Sequence, residues 1–212
     1  MKSSTPYLTK SRYLDGLRCE KKLWLGWHER SPYEDAPPYS ILDFGNRVGR
    51  GAWALFLGGV EVTEKPYEHE AAVATTASLM AGDTPAIFEA AFEFENIRIR
   101  VDVLERLEDG WGLREVKSNK EADAKKYHFD DAAVQLYVLE GCGIKVSSVE
   151  LIHTNRAYMH GEGEIDWQAM LVRADIELQT RDLLCKVKET VPRLFSVLAE
   201  SETPYIYADK TL

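Results

Sequence analysis

Ile97-Arg98-Ile99-Arg100-Val101-Asp102-Val103-Leu104-Glu105-Arg106, a turn at Glu108-Asp109-Gly110, and Trp111-Gly112-Leu113-Arg114-Glu115-Val116-Lys117-Ser118 decide how this chain is read. The first run alternates apolar with polar residues, the mark of a strand with one buried face, and places Asp102 on the polar phase. The second run is read with the same period, and a glycine-tipped turn between them predicts a hairpin. Glu115 and Lys117, two residues apart, then share one face of their strand, beside Asp102 on its neighbour. Hard divalent cations prefer carboxylate oxygens, so Asp102 and Glu115 are candidate ligands for magnesium or manganese. A lysine beside such a pair can stabilise a phosphate as it is cleaved. The plain alternative is a surface hairpin carrying alternating charges.

The flanking segments extend the pattern. Ala86 to Phe94 is another strand, and its Glu89 either completes the acidic cluster or is an exposed strand carboxylate. Asp130 to Gly141 has a helix start at its aspartates and a glycine stop, and Val149 to His153 supplies a further strand. Three antiparallel strands, a crossover helix and a returning strand describe an α/β fold with a mixed sheet flanked by helices. An alanine-rich helix is expected from Glu68 to Gly82. A long amphipathic helix is expected from Asp175 to about Glu200, kinked at Pro192.

In this order the residues resemble the PD-(D/E)xK nuclease superfamily, in its RecB-like branch, and in particular the nuclease-like N-terminal region of a larger bacterial family. The resemblance is carried by Leu8-Thr9-Lys10-Ser11-Arg12-Tyr13-Leu14 leading to Cys19 and Leu23-Trp24-Leu25, by Phe44-Gly45-Asn46-Arg47-Val48-Gly49, and by Ile87 to Phe92. Val101 to Leu104, Glu115 to Ser118, and Tyr127-His128-Phe129-Asp130-Asp131 through Gln135-Leu136-Tyr137 complete it. It implies a restriction-endonuclease-like fold and a Mg2+- or Mn2+-dependent deoxyribonuclease, serving DNA repair, recombination or defence. Asp102 and Glu115, with Glu89, would hold the metal, and Lys117 would be the catalytic lysine. Gln135 would contact the substrate near the scissile phosphate, with Tyr137, His128 and Arg47 as further substrate contacts. The tyrosine of such enzymes usually lies a full helical turn beyond the glutamine, where this chain has Leu139.

Two features depart from the family. Its members often carry a histidine four residues after the glycine of the helix expected here over 41–57, with Ser40 as N-cap; this chain has Gly49 there. Gly45, Gly49 and Ala52 form a small-residue stripe, at a cost of roughly 1 kcal/mol per helical glycine. Tight packing on the sheet is the favoured explanation, ahead of contact with a nucleic-acid backbone. Some members also hold an iron–sulfur cluster, but only Cys19 stands in a matching place. Cys142 and Cys185 read as small buried hydrophobes, so a complete iron–sulfur cluster cannot be built from this chain alone. The alternative to an enzyme is a catalytically inactive nucleic-acid-binding or assembly module on the same fold.

Composition sets the bounds. The 212 residues, 45% of them hydrophobic, suffice for one core, expected as one domain: an N-terminal helical segment and linker over 1–40, the core over 41–200 and a tail over 201–212. No apolar run reaches membrane-spanning length and the start lacks a signal-peptide core, so a cytoplasmic protein without membrane contact is expected. A net charge of -9 argues against a uniformly basic nucleic-acid coat. The basic residues gather instead at Lys10, Arg12, Arg18, Lys21 and Lys22, at Arg47 and Arg50, and at Lys117, Lys120, Lys125 and Lys126. They can line one groove for single- or double-stranded DNA while acidic residues cover the far side. Further domains or protein subunits are the other expected partners. Lys120 to His128 reads as a loop beside the site, Trp24 and Trp27 as core residues of an N-terminal helix, and His153 as structural.

Overall fold

A computed structural model describes residues 5–29, 41–118 and 127–204. Ser40, Lys120, Lys125, Lys126, the proline-rich linker and the end of the tail lie outside them. The centre is the antiparallel trio β3 (Ala86–Phe94), β4 (Ile97–Leu107) and β5 (Gly110–Lys117). Glu108 and Asp109 form the tight turn between β4 and β5, and Gly110 follows with φ 121, a conformation that favours glycine. Helix α5 (Tyr127–Gly141) then crosses over and returns the chain as β6 (Val146–Thr154), parallel to β5. Among the described residues, three shorter strands, which the sequence pattern does not announce, complete a mixed seven-stranded sheet: β1 (Leu8–Thr9) parallel to β4, β2 (Val60–Glu61) parallel to β3, and β7 (Leu171–Asp175) antiparallel to β6.

Helices cover both faces. A large apolar cluster lies against α1 (Lys10–Arg18), α2 (Glu20–His28), α4 (His69–Ala81), α5 and α8 (Leu184–Ala199), joining Tyr13, Trp24, Ala72, Leu136 and Leu194 to the sheet. A smaller cluster on the other face packs α3 (Ile41–Ala52) through Val48 and Ala52 against Phe88, Val103 and Val116. Among the described residues, no helix is long and apolar enough to cross a membrane.

Several expectations change. Strand β5 is buried along both faces rather than half-buried, because helices pack on both: Leu113 joins the large cluster with α5, and Val116 the smaller one with α3. On the face opposite Glu115, Arg114 is buried, donating to Glu105 and Ser148, so its charge is paired rather than solvated. The expected long C-terminal helix is two helices, α7 (Glu177–Asp182) and α8, that break at Leu183, while Pro192 lies inside α8; Asp175 ends β7. Helix α3 stops at Ala52 and a single 3-10 turn follows over Trp53–Leu55. Cys142 and Cys185 are exposed rather than buried, and Cys19 is half-buried; all three are free thiols.

Candidate active site

The site forms where β4 and β5 part. Their ladder runs from Leu107 and Gly110 to Val103 and Arg114 and stops there, so Asp102 and Glu115 stand at a fork. The Val116 N–H left unpaired by the fork donates to Asp102 Oδ2 at 2.7 Å. Below the fork, β4 keeps β3 on one edge and takes β1 on the other, pairing Leu8 with Ile97 and Thr9 with Arg98. Thr9 is also the N-cap of α1, its side chain accepting from the Arg12 N–H, so the chain turns from strand to helix at this point. Lys10, the next residue, is thereby delivered into the fork.

Four elements converge on Glu115, which is fully buried. Lys117 Nζ donates to Glu115 Oε1 at 2.5 Å and to Asp131 Oδ2 of α5 at 2.7 Å. Gln135, one turn further along α5, donates from Nε2 to Glu115 Oε2 at 2.6 Å. Lys10 Nζ sits 3.4 Å from Asp102 Oδ1, 3.2 Å from Glu115 Oε2 and 3.9 Å from Asp131 Oδ1. Glu89 lies opposite Asp102 in the register between Phe88–Val103 and Ala90–Val101, and its φ of 56 is unusual for a residue with a side chain. That backbone interrupts the alternation of β3 and leaves Glu89 on the wall of the same cleft rather than on an exposed strand face.

The electrostatics follow from burial. Desolvation and the neighbouring Glu115 charge push Asp102 up to about 6, and the same two causes push Asp131 up to about 6, against the pull of both lysines. Glu115 is held well below the usual carboxylate range: burial opposes its charge, but Lys10, Lys117 and the Gln135 hydrogen bond outweigh it. Burial likewise disfavours the two ammonium groups, yet the surrounding carboxylates raise both. Burial also raises Glu89. Glu115 is thus the fixed negative centre, and Asp102 and Asp131 are the groups that titrate around it.

The fork opens into a cleft of about 730 Å3. One wall is α3, presenting Asp43, Gly45, Arg47, Gly49 and Arg50, with Trp53 beyond; Asp102, Glu115 and Lys117 lie opposite. A Cβ added at Gly45 or Gly49 would meet nothing within 4 Å, so the glycine stripe does not mark tight packing on the sheet, the explanation favoured from sequence. It faces the cleft. The close approach on this helix is instead at Gly51, where a Cβ would lie 2.3 Å from the ring of Trp167, the first residue of the short helix α6 (Trp167–Met170).

The fork therefore brings together Asp102, Glu115 and Lys117, with Glu89 and Arg47 on the cleft walls. It does so differently for the others. Gln135 is buried behind Glu115, so it braces that carboxylate rather than reaching into the cleft. Tyr137 leaves the site: its hydroxyl donates to Glu95 at 2.5 Å and its ring packs edge-on against Phe94. His128 is buried in the first turn of α5, not on a loop, and is not part of the cleft wall. Trp24 is buried as expected, and Trp27 packs edge-on against Tyr7. Of the basic residues, Lys10, Arg47, Arg50 and Lys117 line the cleft, whereas Lys22 pairs with Asp15 and Arg12 lies over the Tyr7 and Trp27 rings. Asp131 is the member that the sequence reading missed, and Lys10, expected in a basic groove, lies instead between the carboxylates. Asp131 and Gln135 are four apart and share a helix face, a usable signal. Lys10 had none, because its position depends on a two-residue strand.

The donors suit a hard divalent cation. Asp102 and Glu115 converge on one point, already taken by a positive charge, the Lys10 ammonium. Gln135 Oε1, on the amide that braces Glu115, is buried without a hydrogen-bond partner among the described residues. Among the described residues, no group of three or more His, Cys, Asp or Glu side chains is placed to hold a metal ion. Magnesium does not require one, since it usually keeps several waters and binds through one or two carboxylates.

No family model and no curated protein matches the chain. A solved structure titled "Crystal structure of SSO0001" aligns over 97% of this chain and 90% of its own, with 10% identity and a TM-score of 0.39.

Proposed function

We propose that the protein is a Mg2+- or Mn2+-dependent nuclease that hydrolyses DNA phosphodiester bonds, in repair, recombination or defence. One observation carries this reading: Asp102, Glu115 and Lys117 meet at the fork of two strands, facing a cleft whose opposite wall bears Arg47 and Arg50. When bound, the metal supplies Lewis acidity toward the phosphate and an activated water. The chain's own residues do the rest. Asp102 and Glu115 provide oxygen donors, and Gln135 keeps Glu115 in one orientation. Lys117, held between Glu115 and Asp131, keeps an ammonium beside the place where negative charge develops. Arg47 and Arg50 oppose the charge of flanking phosphates, and the open glycine face of α3 lets a sugar–phosphate backbone come close.

A second reading, a non-catalytic nucleic-acid-binding or assembly module, draws on Gly49 in the place of the family's histidine and on the ammonium already lodged between the carboxylates. Cleavage separates the two. End-labelled single- and double-stranded DNA is incubated with Mg2+ or Mn2+ and the wild type, Asp102→Ala or Lys117→Ala. Metal-dependent cutting by the wild type alone is expected. A folded wild type that binds metal and DNA without cutting either substrate supports the module instead.

A further inference from the structure

We infer that Lys10 is a built-in counter-cation of this site, and that a divalent ion binds to Asp102 and Glu115 only by displacing its ammonium. The inference rests on the reading of those two carboxylates as metal ligands and adds a control on them. The Lys10 nitrogen occupies the point where Asp102 Oδ1 and Glu115 Oε2 converge. Two cations cannot share that point, since like charges at such range repel strongly in a partly desolvated site.

The two lysines of the site are not held alike. Lys117 makes charge-assisted contacts at 2.5 and 2.7 Å, whereas the Lys10 distances run from 3.2 to 3.9 Å, beyond the usual range for a strong N–H to carboxylate bond. Lys10 is therefore the more easily displaced, and its four-carbon stem lets the charge move without moving α1. It has somewhere to go. A second cavity of about 380 Å3 adjoins the first, with Lys10, Glu89 and Asp102 common to both, so the ammonium can swing toward Glu89 while staying paired. Charge favours the exchange as well: Glu89, Asp102, Glu115 and Asp131 face Lys10 and Lys117, with Arg100 also acting on Glu89, so among the described residues the carboxylates outnumber the cations and an added divalent ion offsets the excess.

The test is calorimetric titration of the purified protein with MgCl2 and with MnCl2, comparing wild type with Lys10→Met, Lys10→Gln and Lys10→Arg. The neutral variants are expected to bind metal about tenfold more tightly or better, and Lys10→Arg no more tightly than wild type. Equal affinity in the wild type and a neutral variant overturns the inference while leaving the metal reading intact. Absence of binding in every form overturns both. A measurement on the wild type alone covers loss of folding in the variants: acetylation of Lys10 by an N-hydroxysuccinimide ester, followed by peptide mass spectrometry. Labelling is expected to rise severalfold with saturating MgCl2, and unchanged or reduced labelling overturns the displacement.

Discussion

The behaviour of single residues in the fork is set by two buried carboxylates, Glu115 and Asp131, and the half-buried Asp102, which share two ammonium groups. Asp102 and Asp131 are pushed up to about 6 by burial and by Glu115. A raised carboxylate takes up its proton between its unfolded value and about 6, so these residues are neutral at pH 5 and charged at pH 7. Metal must compete with those protons. Divalent-ion affinity, followed by calorimetry between pH 5 and 8, is therefore expected to climb through about pH 6 and level off above 7. The same linkage sets the sign for the metal-free fold: the two aspartates contribute more stability at pH 4 than at pH 7, because the folded state binds their protons more tightly. Glu115 works in the opposite direction, its contribution being present above its unfolded value and lost on acidification. Asp131 has a separate task as the second anchor of Lys117. Asp131→Asn leaves that ammonium tethered to Glu115 alone, and single-turnover cleavage is expected to slow about 10- to 100-fold, as for other residues that orient a reacting group.

At the scale of elements, α3 shows why a local rule and its physical reason have to be kept apart. The glycines at 45 and 49 were legible as something that requires small residues on one face, and close packing is the commonest cause. The structure gives Gly45 and Gly49 open space and gives the packing contact to Gly51. Which of the three faces the protein depends on where α3 lies over β5, and no helix carries that information in its own sequence. The distinction can be measured. Gly45→Ala and Gly49→Ala are each expected to raise stability, by up to about 1 kcal/mol, because a helical glycine loses its entropy cost and the new methyl meets nothing. Gly51→Ala is expected to lower it by about 1–3 kcal/mol through overpacking against Trp167. Thermal melts separate the three, at about 2–4 °C per kcal/mol for a chain of this size. The hairpin, the crossover helix and the returning strand were legible because alternation and helix stops are local signals. The strands β1, β2 and β7 were not, being short edge pairings fixed by their neighbours. The place of Lys10 was lost with β1. The split between α7 and α8 at Leu183 escaped for a similar reason: the apolar residues continue through it, with Leu183 and Leu184 both packed on the main cluster.

At the scale of the whole molecule, the net charge of -9 and a nucleic-acid substrate are compatible only if positive charge is concentrated. The fold concentrates it. Arg47 and Arg50 from α3, and Lys10 and Lys117 from the fork, are separated in sequence but line one cleft. Much of the remaining positive charge is spent elsewhere: Arg114 and Arg173 pair with Glu105 and Glu150 on the sheet face opposite Glu115, and Arg106 binds the carbonyls at the C-terminal end of α4. Lys10 and Lys117 are also matched by their carboxylates, so of the described basic residues that line the cleft, the two arginines of α3 have charge to offer a phosphate backbone. Each phosphate neutralised releases condensed counterions and steepens the salt dependence of binding, by about 0.9 in log K per log salt on duplex DNA and about 0.7 on single strands. Arg47→Ala and Arg50→Ala, introduced into a Lys117→Ala background so that the substrate stays intact, are each expected to weaken binding and to flatten the slope by about that amount. Fluorescence anisotropy between 50 and 200 mM salt on both kinds of substrate, in the range over which such slopes are commonly read, measures it. The substrate on which the step appears also reports what the cleft grips, since the arginines flatten the slope only where they meet phosphates. If both arginines can be removed with no change in slope, then α3 does not touch the phosphates, and the open glycine face beside them must serve something other than DNA.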